Sequence, residues 1–287
     1  MKQACLAWMM LALVTGAVAA PQKFTSRVES VRVDVLVTAN GQPVPGLTAD
    51  DFEVRDNGAA QRVQMIGAGT LALDVTLALD MSSSLEPERL AALRRAGSLL
   101  LKGLAATDRA GLLTFSHAVT ARQAMTLDHG LVRNALAAAE PGGGTSLADA
   151  LYVGLTMSEG EGRRPLLIVF SDGIDTTSWL STADAVAAAK RFETVAYAVS
   201  TARAGDTPRI LHDITAQSGG NLLQVTSRDL EASFVKILDE FRQRYLLSYT
   251  LPAAPTPGWH RIDVRVKKRG MNVKARSGYL VGPSGGS

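Results

Sequence analysis

The 287-residue chain carries one cysteine, Cys5, and it lies within the first twenty residues. Beyond that point the chain can form no disulfide and no thiolate metal site. Its fold must therefore rest on core packing, for which the remaining length suffices, as one or two domains. An excess of one charge is also missing. Thirty Lys and Arg face 27 Asp and Glu, a formal net charge of +3. That surplus is too mild to point to nucleic acid. After residue 20 no apolar run approaches the roughly 20 residues that span a bilayer. Internal repeats and long low-complexity linkers are absent. So are common enzyme signatures: there is no Gly-x-Ser-x-Gly and no His-Glu-x-x-His, and the glycines at 142–144 lead to no P-loop lysine.

The chain opens with a patterned leader. Lys2 gives a positive start, an apolar run follows over 5–14, and Ala17, Val18 and Ala19 form an A-x-A cleavage pattern. Residues 1–20 are thus expected to be a cleaved secretory signal, placing the mature protein in the periplasm or outside the cell. The alternative, an uncleaved anchor, needs a longer run.

Three textures follow. Residues 21–69 read as β structure, with Val31, Val33, Val35 and Val37 alternating onto one face and turns at "NGQPVPG" and "RDNG". Residues 70–243 alternate apolar strand-like runs (73–79, 110–115, 165–170, 194–199 and 221–225) with helical patterns (88–104, 129–139, 147–157, 182–192, 208–217 and 227–244). That alternation predicts an α/β fold, a doubly wound and mostly parallel sheet with helices on both faces. Continuously apolar runs such as "LLIVF" suit its central strands. Residues 244–281 return to β texture, and 282–287 read as a disordered tail. The outer β segments either pair into one small β-sandwich, with the α/β domain inserted between them, or are two unrelated extensions.

In a doubly wound sheet, ligands bind outside the carboxyl ends of the strands. Three loops are expected there. The first strand ends in Asp80, with Ser82 and Ser84 following at spacing two. "PGGGTSLAD" brings Thr145, and "VFSDGID" brings Asp172. Each has a plain alternative: Ser82, Ser84 or Thr145 as a helix cap, Asp172-Gly173 as a turn.

Taken together, "DMSSS", "GGGTSL" and "FSDGID" resemble the three elements of the metal-ion-dependent adhesion site of von Willebrand factor type A domains. The resemblance covers roughly 70–243, and all five positions match. It implies that Ser82, Ser84 and Thr145 bind a divalent cation directly, with Asp80 and Asp172 acting largely through water. Hydroxyl and carboxylate oxygens are hard ligands suited to Mg²⁺, with Ca²⁺ or Mn²⁺ as alternatives. It further implies a non-enzymatic, adhesion-type protein that engages a protein partner offering an Asp or Glu carboxylate. Two other roles stay open: a structural envelope protein with a purely stabilising metal, and a metal-assisted hydrolase. Ser146, Asp149 and Asp175 are expected to orient or cap rather than ligate. His117 is expected to end its strand, although Ser84, His117 and Asp172 could be drawn as a triad. Lys267, Lys268, Arg269, Lys274 and Arg276 read as the solvated face of an edge hairpin.

Overall fold

The computed structural model describes residues 30–67, 71–158, 162–203, 205–252 and 255–282. The expected leader, with Cys5, and the tail from 283 onward lie outside these. The N-terminal β segment holds β1 (Ser30–Ala39), β2 (Gln42–Pro43), β3 (Phe52–Asp56), β4 (Ala59–Gln61) and β5 (Gln64–Ile66). The central region runs β6 (Leu73–Asp80), α1 (Pro87–Lys102), β7 (Arg109–Phe115), β8 (Val119–Thr126), α2 (His129–Ala137), α3 (Leu147–Thr156), β9 (Arg164–Phe170), α4 (Thr182–Arg191), β10 (Val195–Ser200), α5 (Arg209–Ser218), β11 (Leu222–Gln224) and α6 (Leu230–Arg242). The C-terminal segment holds β12 (Tyr245–Thr250), β13 (Gly258–Val266), β14 (Asn272–Lys274) and β15 (Gly278–Val281).

The central sheet has the order β11-β10-β9-β6-β7-β8. All its pairs are parallel except β7 with β8. Strand β6 is buried along its whole length, as a middle strand covered on both faces must be. Its odd residues Val75, Leu77 and Leu79 pack with α1, α2 and α6. On the other face, Ala78 joins a core built from α3, α4 and α5. Asp74 and Asp80 share that second face, because side chains alternate along a strand.

The outer β segments pair with each other. Strand β1 lies antiparallel to β12, with Val33 opposite Leu247, and also pairs with β14. Strand β3 pairs with β13, and β13 with β15. The two resulting sheets enclose a third core that includes Val31, Val33, Val35, Val37, Val54, Leu247 and Ile262. One sandwich is thus built from both ends of the described chain.

Salt links join it to the central region. Asp34 on β1 accepts from Arg164 at the start of β9. Arg244 donates to the backbone oxygens of Asp34 at 3.0 Å and Gly219 at 2.8 Å. In the basic hairpin Lys267, Lys268, Arg269 and Lys274 are exposed as expected, and Arg276 departs from that expectation. Arg276 is only 6% exposed, because residues 275–277 pack on the end of α5, where Ser277 N donates to Gln217 O at 3.1 Å. At that junction Gly219 ends α5 with φ +81°, and a Cβ there would stand 2.4 Å from the Ala275 carbonyl carbon. Only glycine fits both demands.

Candidate metal centre

The site forms where β6, β7 and β9 stop together. Register places Asp80 beside Phe115, and Leu79 beside Phe170. The chain then leaves β6 in a turn fixed by two backbone bonds, Met81 N to Phe115 O and Gly142 N to Met81 O, both 2.7 Å. The second bond draws the glycine loop over the serines. Ser83 donates to Gly143 O through both its N–H and its hydroxyl, each at 3.0 Å. Gly143 has φ +83°, and a Cβ would lie 2.7 Å from His117 Nδ1. This residue must therefore lack a side chain.

The five expected residues meet at this edge. Asp80 Oδ1 accepts from the Ser82 N–H at 2.9 Å, and Oδ2 accepts from Ser171 Oγ at 2.8 Å. Ser82 and Ser84 hydroxyls are 3.0 Å apart, and Ser84 Oγ reaches Asp172 Oδ1 at 3.5 Å. Thr145 enters from the third loop. Its hydroxyl lies 3.5 Å from the position a Cβ would take on Gly173, next to Asp172. Asp80, Ser82 and Thr145 are buried, whereas Ser84 is exposed. The cluster therefore opens to solvent on its Ser84 side.

The plain alternatives for the serines and the threonine are not what the local geometry uses. Helix α1 begins after Glu86, with no side-chain cap. Helix α3 begins after Ser146, again without a side-chain cap. Its free N–H groups are met from the Asp172 loop instead: Ala148 N donates to Asp175 Oδ2 at 2.7 Å and to Ser178 Oγ at 3.0 Å. Asp149 in turn accepts from the backbone of Trp179 and Leu180, at 3.0 and 2.8 Å. Asp175 and Asp149 thus cap and orient. They tie the Asp172 loop to the Thr145 loop, reinforced by Thr176 Oγ1 accepting from Thr145 N at 2.9 Å. Ser146 Oγ is buried and has no hydrogen-bond partner among the described residues. His117 is exposed and lies against the glycine loop. Its ring nitrogen meets Ser116 Oγ at 3.4 Å, and among the described residues neither Ser84 nor Asp172 bonds to it.

Electrostatically the two carboxylates differ. Burial pushes the Asp80 carboxyl above its usual range, against the bonds from Ser171 and Ser82. No Lys, Arg or His side chain bonds to it among the described residues. Asp172 does have a cation: Arg89, in the first turn of α1, pairs with Asp172 Oδ2. Sequence reasoning missed Arg89 and Ser171. Arg89 did leave a signal, since a basic residue in a helix's first turn opposes the helix dipole and calls for a local reason. Ser171 could be read only from its place between the apolar strand and Asp172.

The donor set fits a hard divalent cation. Three hydroxyls and two carboxylates gather at one sheet edge, and the more buried carboxylate receives only neutral donors.

Comparison with known proteins agrees with this geometry. A family model for the von Willebrand factor type A domain matches residues 74–239. No curated protein matches the sequence significantly. Among solved structures, a von Willebrand factor type A protein from Catenulispora acidiphila aligns at TM-score 0.54 and 11% identity, over 91% of this chain and 76% of that one. Proximal thread matrix protein 1 from the mussel byssus, with a zinc-occupied MIDAS motif, aligns at TM-score 0.54 and 13% identity, over 66% of this chain and 50% of that one. An aerotolerance-related membrane protein from Bacteroides fragilis aligns at TM-score 0.51 and 20% identity, over 60% of this chain and 100% of that one. At these identities the likeness is one of fold.

Proposed function

Because the chain belongs to the von Willebrand factor type A domain family, we propose that it is an exported, non-enzymatic binding protein that engages a protein partner through a divalent cation. Ser82, Ser84 and Thr145 supply neutral oxygens, and Asp80 and Asp172 supply negative charge. The observation that carries this reading is the convergence of these five side chains from three distant loops at one sheet edge. These five residues would hold the cation, which would supply Lewis-acid attraction for an Asp or Glu carboxylate of the partner.

The chain's own residues prepare that event. The buried Asp80, Ser82 and Thr145 form the floor, and the exposed Ser84 marks the mouth. Three neutral ligand oxygens leave the ion's charge under-compensated toward the mouth, which favours an incoming anion. Hydroxyls and carboxylates suit Mg²⁺, with Ca²⁺ or Mn²⁺ as alternatives. The leader pattern in residues 1–20 supports secretion to the periplasm or beyond. Among the described residues no helix is long and apolar enough to cross a membrane.

The test is Mg²⁺ binding by calorimetry together with capture of partners from envelope extract, in Mg²⁺ and in EDTA. Asp80→Ala and Thr145→Ala should each abolish metal-dependent capture while the circular dichroism spectrum is retained. Unchanged metal affinity in both variants refutes the assignment. Metal-dependent stabilisation without any captured partner favours a structural role instead.

A further inference from the structure

A second polar cavity lies between the sandwich and the central sheet, remote from the cluster at Asp80. Arg32, Asp34, Arg163, Arg164, Glu193 and Arg276 line it. The space open to the centre of a water-sized sphere is ≈ 10 Å³, room for about one water molecule or one monatomic ion. Four of the six residues carry guanidinium groups and two carry carboxylates.

The pairing among them leaves positive charge over. Glu193 takes Arg32, at 3.0 and 2.7 Å. Asp34 takes Arg164. Arg163 is satisfied by Asp74, at 2.5 Å. Arg276, which is buried, meets only neutral acceptors: Gly278 O at 2.8 Å and Lys190 O at 3.2 Å. Arg244, fully buried, stands 3.9 Å from the same Asp34 that Arg164 already uses. Two buried guanidinium groups, Arg164 and Arg244, therefore share the Asp34 carboxylate, while buried Arg276 hydrogen-bonds only to carbonyls.

Hydrogen bonding at Arg164 is equally lopsided. Its Nη2 serves Asp34, Phe241 O at 3.2 Å and Arg244 O at 3.4 Å. Among the described residues its Nε and Nη1 are buried without a hydrogen-bond partner, while the guanidinium carbon lies 4.7 Å from the centre of the Phe241 ring. Buried N–H groups of a charged side chain are costly when left without an acceptor. A water would satisfy donors but leave the charge surplus. A carboxylate or phosphate would exceed the space. Burial also holds Arg276 below its ordinary pKa, outweighing the more distant charge of Glu193.

We propose that this cavity binds a monatomic anion, chloride under ordinary conditions, which clamps the sandwich onto the central sheet. The anion accepts from Arg164 on the sheet side and lies beside Arg276 on the sandwich side. The site is independent of the cation centre, so either can hold if the other fails.

The experiment uses the full chain and bromide as the probe. Crystals grown in sodium bromide should show an anomalous peak in the cavity beside Arg164. In solution with EDTA, thermal midpoints are compared in sodium chloride, sodium bromide and sodium gluconate at equal ionic strength. Halide at about 100 mM should raise the midpoint by roughly 5 °C over gluconate, the shift expected for saturation well above the dissociation constant. Arg276→Gln should lose most of that shift, whereas Arg32→Gln, whose partner Glu193 lies at the rim, should keep it. Arg164→Gln serves as a third variant, and the wild-type measurements stand even if it does not fold. Cavity density without anomalous signal, or equal midpoints in halide and gluconate, overturns the proposal.

Discussion

Asp74 and Asp80 lie on the same strand and the same face of the sheet, and both are 0% exposed. Their surroundings differ completely. Asp74, at the amino end, receives Arg109 at 2.8 and 2.5 Å, Arg163 at 2.5 Å and Ser158 at 2.9 Å. Burial alone would raise its pKa, but the two guanidinium groups and the hydroxyl outweigh that and hold it below the usual carboxylate range. Asp80, at the carboxyl end, has only neutral donors, and burial pushes it up. One end of the strand carries its own counter-charge, while the other has no chain cation bonded to it among the described residues. A buried carboxylate without a chain cation costs folding energy, so its presence at a ligand-binding edge is itself informative.

The strongest test swaps each carboxylate for its neutral isostere. Asp74→Asn leaves Arg109 and Arg163 without their anion and should cost about 3 kcal/mol, toward the low end for breaking a buried pair because both arginines reach solvent. Asp80→Asn in EDTA removes an unpaired buried charge and should cost less than about 1 kcal/mol. It should also eliminate the rise in melting temperature on adding Mg²⁺, which Asp74→Asn preserves. Denaturant titrations with and without Mg²⁺ check both. Equal destabilisation of the two variants in EDTA would remove the contrast.

Arg89 lies between these extremes. It lends a chain cation to Asp172, partly exposed and on the side of the cluster that opens to solvent. An ion entering there must share or displace it. Arg89→Gln should therefore tighten Mg²⁺ binding by about fivefold, the order of one solvent-screened charge pair, with little change in stability. Calorimetric titration measures this. Weaker binding in the variant would mean that Arg89 orients Asp172 for the ion rather than competing with it.

Sequence pattern made one side of this contrast plain and hid the other. Strand β6 was legible because a buried central strand is continuously apolar, and Asp80 stood out as a carboxylate closing that run. The serines, Thr145 and Asp172 followed from their spacing to expected strand ends. The counter-charges were not legible, since Arg109 and Arg163 come from separate connections and meet Asp74 only in three dimensions. Arg276 misled for the same reason: its hairpin looks solvated until Gly219 allows the chain to pack against α5. Strand β8 escaped because "VTARQAMT" is an antiparallel edge, half exposed and irregular in register, with no clean alternation. Pairing between the outer segments is a contact between strands more than 200 residues apart, which local pattern cannot carry.

A third buried carboxylate completes the series. Asp56, in the sandwich, accepts from Tyr249 at 2.9 Å and Tyr279 at 2.6 Å, and faces His260 Nδ1 at 2.9 Å. The other ring nitrogen faces Thr256 O at 2.7 Å. Both nitrogens thus meet acceptors, an arrangement that favours the doubly protonated ring. Burial disfavours that charge, but the Thr256 carbonyl and Asp56 outweigh it, and the His260 pKa is raised. Here the counter-cation is conditional on pH, where at Asp74 it is permanent and at Asp80 the proposed function assigns it to a bound metal ion. A raised folded-state pKa gives stability that is fully present below about pH 6.5, the unfolded value, and is lost as pH rises through the folded value. The midpoint should fall by about 2 °C across that window, and His260→Gln should flatten this slope. Asp74→Asn and Asp80→Asn should leave that slope in place. A slope unchanged in His260→Gln would place the titrating group elsewhere and leave Asp56 held by its two tyrosines alone.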